Sequence, residues 1–243
     1  MRIISRLDIK MGTLIKSVMY DGVRKIGNPA EYANDYVESS VDELMLINNT
    51  GSLYNTKLDL KLIREIRKKK ALPISAGGGI TSHEDAENLI QSGCDKVVIN
   101  SLIHKNVDEV VKIIDALGSS SVTGAIQFEK RDDNYVTLYE MARESTGLNL
   151  IDTVKMYKDI GIGELLITDI KRDGCYTGLN KEIYDIISNF KDEFPIILSG
   201  GFINVEDINH YKDILSGISI SSAFHLKKLK VSETIKYRNK IIY

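Results

Sequence analysis

The sequence predicts a single (βα)8 barrel, the TIM-barrel α/β fold in which eight parallel strands alternate with eight helices. Three observations support it. Short apolar runs alternate with longer segments of helical period throughout the 243 residues. The apolar runs are continuous, which is typical of strands covered by helices. The chain also repeats itself at an offset of 122 residues, which indicates two related half-barrels.

The elements follow in a regular order, with only short connections after most of them. In the first half we predict strands at 3–9, 43–47, 72–76 and 96–99 and helices at 31–39, 58–69, 83–91 and 107–117. In the second half the strands are 121–126, 164–168, 195–198 and 218–220, and the helices are 150–160, 181–189, 205–214 and 231–238. A long polar loop through Gly12, Lys16 and Gly27 precedes the first helix. We expect one domain over 1–243, with half-barrels of about 1–120 and 121–243.

The internal repeat is clearest around two glycine runs. Residues 73–85 match residues 195–207, and residues 41–46 match 162–167 at an offset of 121. The third and seventh strands therefore occupy equivalent positions on opposite sides of the barrel.

Each half ends its third strand in glycines and follows its fourth strand with a small polar pair. Glycine lets the backbone approach an anion, and a following helix N-terminus offers free N–H groups. Tight turns alone would also explain either run, but the duplication at matched spacing favours two phosphate-binding loops. The predicted residues are Gly78, Gly79, Asn100, Ser101, Gly200, Gly201, Ser221 and Ser222. Two such loops predict a small ligand with a phosphate at each end.

Asp8 lies at the end of the first strand, and Lys16 follows in the polar loop. A carboxylate at the carboxyl end of a barrel strand is a candidate general acid or base. Lys16 is a candidate contact to an anionic substrate, although either residue could be ordinary surface charge.

The composition excludes several classes of function. With 32 basic and 34 acidic residues and a net charge of −2, overall charge gives no argument for binding nucleic acid or an anionic membrane. The two cysteines and four scattered histidines suggest no disulfide framework or metal site, and no dinucleotide fingerprint is present. No signal peptide or long apolar span is recognisable. We therefore expect a soluble cytoplasmic protein without metal or cofactor.

An ordered set of motifs over nearly the whole chain resembles the HisF family, the cyclase subunits of imidazole glycerol phosphate synthase. The motifs are Leu7-Asp8-Ile9-Lys10, Gly77-Gly78-Gly79-Ile80, Asp95-Lys96-Val97-Val98-Ile99-Asn100, Arg172-Asp173-Gly174, Ser199-Gly200-Gly201 and Phe224-His225. The resemblance implies a barrel that takes ammonia from a HisH-type glutaminase at its amino-terminal face. It also implies a lyase and cyclase reaction on a substrate with two phosphates, which Thr168 and Asp173 would help to bind.

The resemblance places a catalytic acid–base pair at the ends of the first and fifth strands, on Asp8 and Gln127. An amide cannot exchange a proton as a carboxyl does, so half of the pair is substituted. Two further family acids correspond to Asn48 and Lys171. Changes at three positions on one rim suggest a changed substrate, and nearby Asp169 is a candidate replacement acid.

At the amino-terminal face, the resemblance implies a ring of charges that gates an ammonia channel. The matching residues are Arg2, Glu43, Lys96 and Glu164. Charged residues at this end of a barrel can also serve only to stabilise the fold.

Four functions stay open. The altered rim favours a HisF-like paralogue of the kind associated with sugar amidation in surface polysaccharide biosynthesis. The similarity of the motifs over nearly the whole chain favours the housekeeping cyclase of histidine biosynthesis. The related isomerase HisA shares the half-barrel repeat but fits the motifs less well. A non-catalytic conduit that activates a glutaminase and passes ammonia to a third protein would explain the missing carboxylate.

Overall fold

The structure is a computed structural model, and it describes residues 1–69 and 71–242. The end of the predicted domain, Tyr243, lies outside the described residues. The strands are β1 (Arg2–Lys10), β2 (Thr13–Val18), β3 (Asp21–Gly27), β4 (Glu43–Asn48), β5 (Ile74–Gly77), β6 (Lys96–Ile99), β7 (Val122–Arg131), β8 (Asn134–Tyr139), β9 (Glu144–Asn149), β10 (Glu164–Asp169), β11 (Ile196–Ser199) and β12 (Gly217–Ile220).

The helices connect these strands and cover the outside of the barrel. They are α1 (Pro29–Glu38), α2 (Gly51–Tyr54), α3 (Leu60–Lys69), α4 (His83–Gln91), α5 (Ser101–Lys105), α6 (Val107–Leu117), α7 (Leu150–Ile160), α8 (Tyr184–Ser188), α9 (Glu206–Tyr211), α10 (Ser222–His225) and α11 (Val231–Ile242). Local sequence fixes their ends. Ser82 and Asp85 form a capping box at the start of α4, and Gly161 ends α7 in a left-handed conformation.

Eight strands form a closed parallel barrel in the order β1, β4, β5, β6, β7, β10, β11, β12. The barrel closes where β1 pairs with β12, with Arg2 opposite Gly217. The predicted (βα)8 fold is confirmed. The division into half-barrels stays a prediction.

Two antiparallel hairpins depart from the predicted pattern. The expected polar loop through Gly12, Lys16 and Gly27 is instead the hairpin β2–β3, and β8–β9 forms a second hairpin after β7. Both arise because β1 and β7 are nine and ten residues long and continue beyond the barrel rim. There β1 pairs with β2 and β7 with β8, so the backbone groups of the protruding ends find partners.

The barrel interior contains a buried apolar layer at mid-height. It consists of Ile4, Met45, Val98, Ala125, Leu166 and Ile197. A second and larger core fills the space between the strands and the helices. Complete burial of such side chains contributes about 1.5–3 kcal/mol each, so the interior of the barrel at this level is a packed core.

Candidate functional site

Both predicted glycine loops lie at the carboxyl rim, in left-handed conformations that favour glycine. Gly78 and Gly79 have φ of 91° and 79°, and Gly200 and Gly201 have φ of 101° and 89°. A side chain on Gly78 would meet the carbonyl oxygen of Asn48 at 2.1 Å. Tight packing of the rim therefore requires these glycines, whatever they bind.

The same backbone contacts recur in the second half. A side chain on Gly200 would lie 2.5 Å from the carbonyl oxygen of Asp169, which follows Asn48 by 121 residues. The two loops thus repeat in their packing as well as in sequence.

The first rim cavity, at the first glycine loop, has about 640 Å³ of open space, part of it continuous with solvent. Six of the predicted site residues line it, namely Gly78, Gly79, Asn100, Ser101, Gln127 and Thr168. Apolar side chains such as Ile47, Val98 and Leu166 form much of the rest. Among the described residues that line this cavity, Arg6 is the only charged one. No carboxyl group of the described chain faces it.

The second rim cavity is smaller, with about 270 Å³ of open space. Asp173, Gly200, Gly201, Ser221 and Ser222 line it, as do Tyr176 and Ser219. The hydroxyl oxygens of Ser219 and Ser221 are buried and have no hydrogen-bond partner within the described chain. Because unpaired buried hydroxyls are costly, two of them beside one cavity favour a polar ligand.

Asp8 belongs to a buried cluster of two cations and two anions. Its Oδ1 accepts from Arg6 Nε at 2.8 Å, and its Oδ2 accepts from Lys16 Nζ at 3.3 Å. Lys16 Nζ also donates to Asp173 Oδ2 at 3.0 Å. Burial alone would raise the pKa of Asp8, but Arg6 and Lys16 outweigh it and hold the pKa below its ordinary value. Asp8 is therefore a paired carboxylate and a weak base.

Gln127 is held by the second hairpin. Its Oε1 accepts from the backbone N–H of Ala142 at 2.8 Å. Since an N–H can only donate, this bond fixes which end of the amide is oxygen and leaves Nε2 as the free end. Gln127 lines the first rim cavity, so it presents a donor where the resemblance implied an acid.

The other acids near the rim point elsewhere. Asp169 accepts from Asn180 at 2.6 Å, and burial raises its pKa, but it lines neither rim cavity. Glu129 forms ion pairs with Arg131 and Lys171 at 2.6 and 3.0 Å. Asp169 is therefore poorly placed to replace the missing acid in the first rim cavity.

The tips of the two hairpins meet over the barrel mouth. Tyr20 from the first hairpin packs with Leu138 and Met141 from the second and with Ile170. We call these four residues the hairpin cover. Tyr20 and Met141 also line the first rim cavity, so the cover shields its interior from water.

The charged ring, composed of Arg2, Glu43, Lys96 and Glu164, lies at the opposite end of the barrel. Arg2 bonds Glu43 at 2.6 Å and also bonds Glu164. Lys96 bonds Glu164 at 2.9 Å. Burial raises the pKa of Glu43 despite the nearby Arg2. The four predicted residues thus form one connected ion-pair network below the apolar layer.

Several remaining features lie away from both rim cavities. The side chains of His83, Glu84 and Glu109 place possible ligand atoms within 4.8 Å of one another, but α4 and α6, which carry them, lie on the outside of the barrel. Cys94 and Cys175 are free thiols. None of the helices over 1–69 and 71–242 has the length and apolar character needed to span a membrane.

The (βα)8 fold and the two matching glycine loops at its rim define a class of barrel protein, and comparison with known proteins agrees with this class. Residues 2–230 match the family model described as "Histidine biosynthesis protein". The chain is 33% identical to imidazole glycerol phosphate synthase subunit HisF of Natranaerobius thermophilus, covering 97% of this chain and 94% of that protein.

Two further HisF relatives give the same result. The chain is 34% identical to the HisF subunit of Legionella pneumophila over 86% of this chain and 98% of that protein. It is 32% identical to that of Pyrobaculum aerophilum, covering 98% and 94%. The chain belongs to the HisF family, as its motifs predict.

Residues of this site that the sequence did not predict include Arg6, Tyr20 and Met141. Tyr20 and Met141 lie in the two hairpins, whose sequences predict loops. Arg6 stands two residues before Asp8 on the same strand, and residues two apart share a face. That alternation was a usable signal for Arg6.

Proposed function

We propose that the chain is the ammonia-accepting synthase subunit of a glutamine amidotransferase that acts on a phosphorylated, sugar-type substrate, as in sugar amidation. The observation that carries the proposal is the first rim cavity, which faces Arg6 and the Gln127 amide but no described carboxyl group. A cavity without a titratable acid is unsuited to the acid–base cyclisation that the HisF name implies.

The two rim cavities support a phosphorylated substrate. Gly78, Gly79, Asn100 and Ser101 would hold an anion in the first, next to the start of α5. Gly200, Gly201, Ser221 and Ser222 would hold another in the second, where the unpartnered hydroxyls can donate. Lys16, Thr168 and Asp173 would orient the ligand between them. A sugar-type substrate with one phosphate would fill only one of these sites.

A HisH-type glutaminase is the partner that we propose at the amino-terminal face. Ammonia would enter through the charged ring, where Arg2 bridges the two glutamates and Lys96 pairs with Glu164. Above the ring, the apolar layer favours uncharged ammonia over ammonium, because burying an unpaired ion is costly. Opening requires only side-chain movements of Arg2 or Lys96, which are both partly exposed.

An assay of the purified chain with ammonium and the two-phosphate substrate of imidazole glycerol phosphate synthase tests the proposal. We expect no cyclisation, because neither Gln127 nor the paired Asp8 can shuttle protons there. Robust cyclisation by the unaltered chain would overturn the changed-substrate proposal.

The housekeeping cyclase of histidine biosynthesis is the second candidate, and the names of the relatives favour it. If only Gln127 separates the chain from that activity, Gln127→Asp raises cyclisation. The matched control is Gln127→Asn, which shortens the side chain equally but adds no acid.

A non-catalytic conduit is the third candidate, favoured by the absence of an acid in the first rim cavity. Asp8→Asn separates it from an enzyme. A conduit still stimulates the glutaminase and releases ammonia, whereas an enzyme that uses Asp8 loses product formation.

A further inference from the structure

We propose that Arg6 and the Gln127 amide nitrogen bind a carboxylate of the substrate in the first rim cavity, so that the substrate is an acidic sugar phosphate. The inference rests on the proposed function, because it assumes a phosphorylated sugar-type substrate. It goes further by naming the class of sugar, an acidic one.

Arg6 is a buried cation with donors to spare. Its whole residue is 4% exposed, its Nε donates to Asp8 and its Nη2 donates to the Tyr20 hydroxyl at 3.3 Å. The other terminal nitrogen, Nη1, bonds no residue within 1–69 and 71–242, and the side chain lines the first rim cavity. A guanidinium that keeps free N–H groups beside a cavity matches the two oxygens of a carboxylate.

Gln127 faces the same cavity from the opposite side of the barrel, since β7 is the fourth strand from β1 in either direction. The Ala142 bond commits its oxygen and leaves the Nε2 hydrogens for a ligand. Arg6 and Gln127 therefore offer donors from two sides. Both groups suit an electron-rich oxygen of a ligand, and neither the guanidinium nor the amide nitrogen can accept a proton.

The surroundings strengthen this selectivity. Ile47, Val98, Leu166 and Met141 give the cavity apolar walls, and charge–charge attraction is stronger where water is excluded. No described carboxylate lines the cavity, and Asp8, which pairs with Arg6 Nε from outside it, leaves the Nη1 hydrogens for a ligand. A ligand that lacks the carboxylate would leave these donors desolvated and unpaired, which is the strongest basis for rejecting an analogue.

Calorimetric titration of the full chain with two probes tests the inference. The probes are glucuronate 1-phosphate and glucose 1-phosphate, which differ in the carboxylate alone. We expect the acidic sugar to bind at least tenfold more tightly. Arg6→Gln removes the charge and should abolish this preference. Gln127→Glu keeps the acceptor for Ala142 but replaces the donor by an anion, so it should reduce the preference or reverse it.

The outcomes separate the inference from the proposed function. Equal affinity of the unaltered chain for both probes overturns the carboxylate site but leaves a phosphorylated substrate standing. Equal weakening of both probes by Arg6→Gln assigns Arg6 to the phosphate and also overturns it. Failure to bind either probe, or inorganic phosphate titrated separately, overturns both. If Arg6→Gln does not fold by circular dichroism, the two-probe comparison and Gln127→Glu decide the question.

Discussion

Replacing Lys16 by methionine unbalances the buried cluster beneath the hairpin cover. The Lys16 side chain is 6% exposed and its Nζ lies 3.0 Å from Asp173 Oδ2. Two charges at that distance attract by about 5 kcal/mol at an effective dielectric constant of about 20. In Lys16→Met, Asp8 keeps Arg6, whereas Asp173 keeps no cation at ion-pair distance among the described residues.

Part of that attraction is offset, because the variant no longer buries a lysine charge. Removing one partner of a buried ion pair typically costs about 3–5 kcal/mol. For a chain of 243 residues, each kcal/mol lowers Tm by about 2–4 °C. We therefore expect Lys16→Met to lower Tm by about 6–20 °C at pH 7.

Urea unfolding followed by circular dichroism measures the loss, with Lys230→Met as the control. Lys230 also pairs with a carboxylate, Glu233, but its side chain is 74% exposed, so its loss should cost less than about 1 kcal/mol. Equal losses for the two variants would refute the reasoning.

Two further predictions concern the rim and the histidines. Gly78→Ala should lower the free energy of unfolding by more than about 3 kcal/mol, because the new side chain would strike the Asn48 carbonyl oxygen. The control is Gly147→Ala, where φ is 77° and the surrounding space is open, and it should lower the free energy of unfolding by about 1 kcal/mol. Comparable losses for the two variants in urea unfolding would contradict this prediction. Burial lowers the pKa of both His104 and His225 to about 4. Since the unfolded histidines protonate near pH 6.5, the free energy of unfolding should fall as pH drops from 6.5 to 4, by up to about 3 kcal/mol for each histidine. Titration of either ring near pH 6.5 by NMR would contradict it.

The sequence predicted the barrel well because its signals are local. Helices α4, α6 and α7 begin and end where predicted, since residues such as Ser82, Asn149 and Gly161 satisfy the helix ends by their own chemistry. The helix predicted at 205–214 is shorter, Glu206–Tyr211, because an apolar pattern marks burial and not the last hydrogen bond.

The site was harder to predict because its chemistry depends on distant contacts. Asp8 was recognisable as a rim carboxylate, but its pairing with Lys16 depends on a hairpin that composition presents as a polar loop. The role of Gln127 likewise depends on the N–H of Ala142, whose position follows from the fold of β8 and β9. No local pattern specifies either contact.

The closure of the barrel by its first and last strands also matters for synthesis of the chain. The edge of β1 that receives β12 stays unpaired until residue 217 has been made, some 215 residues after Arg2. At about 5–20 residues per second, that interval lasts roughly 10–40 s. Throughout it, a nascent chain with an open and apolar strand edge is exposed to wrong partners. Closure of the barrel is therefore one of the last steps open to the growing chain, and slower synthesis of the second half lengthens the time for which this edge is exposed.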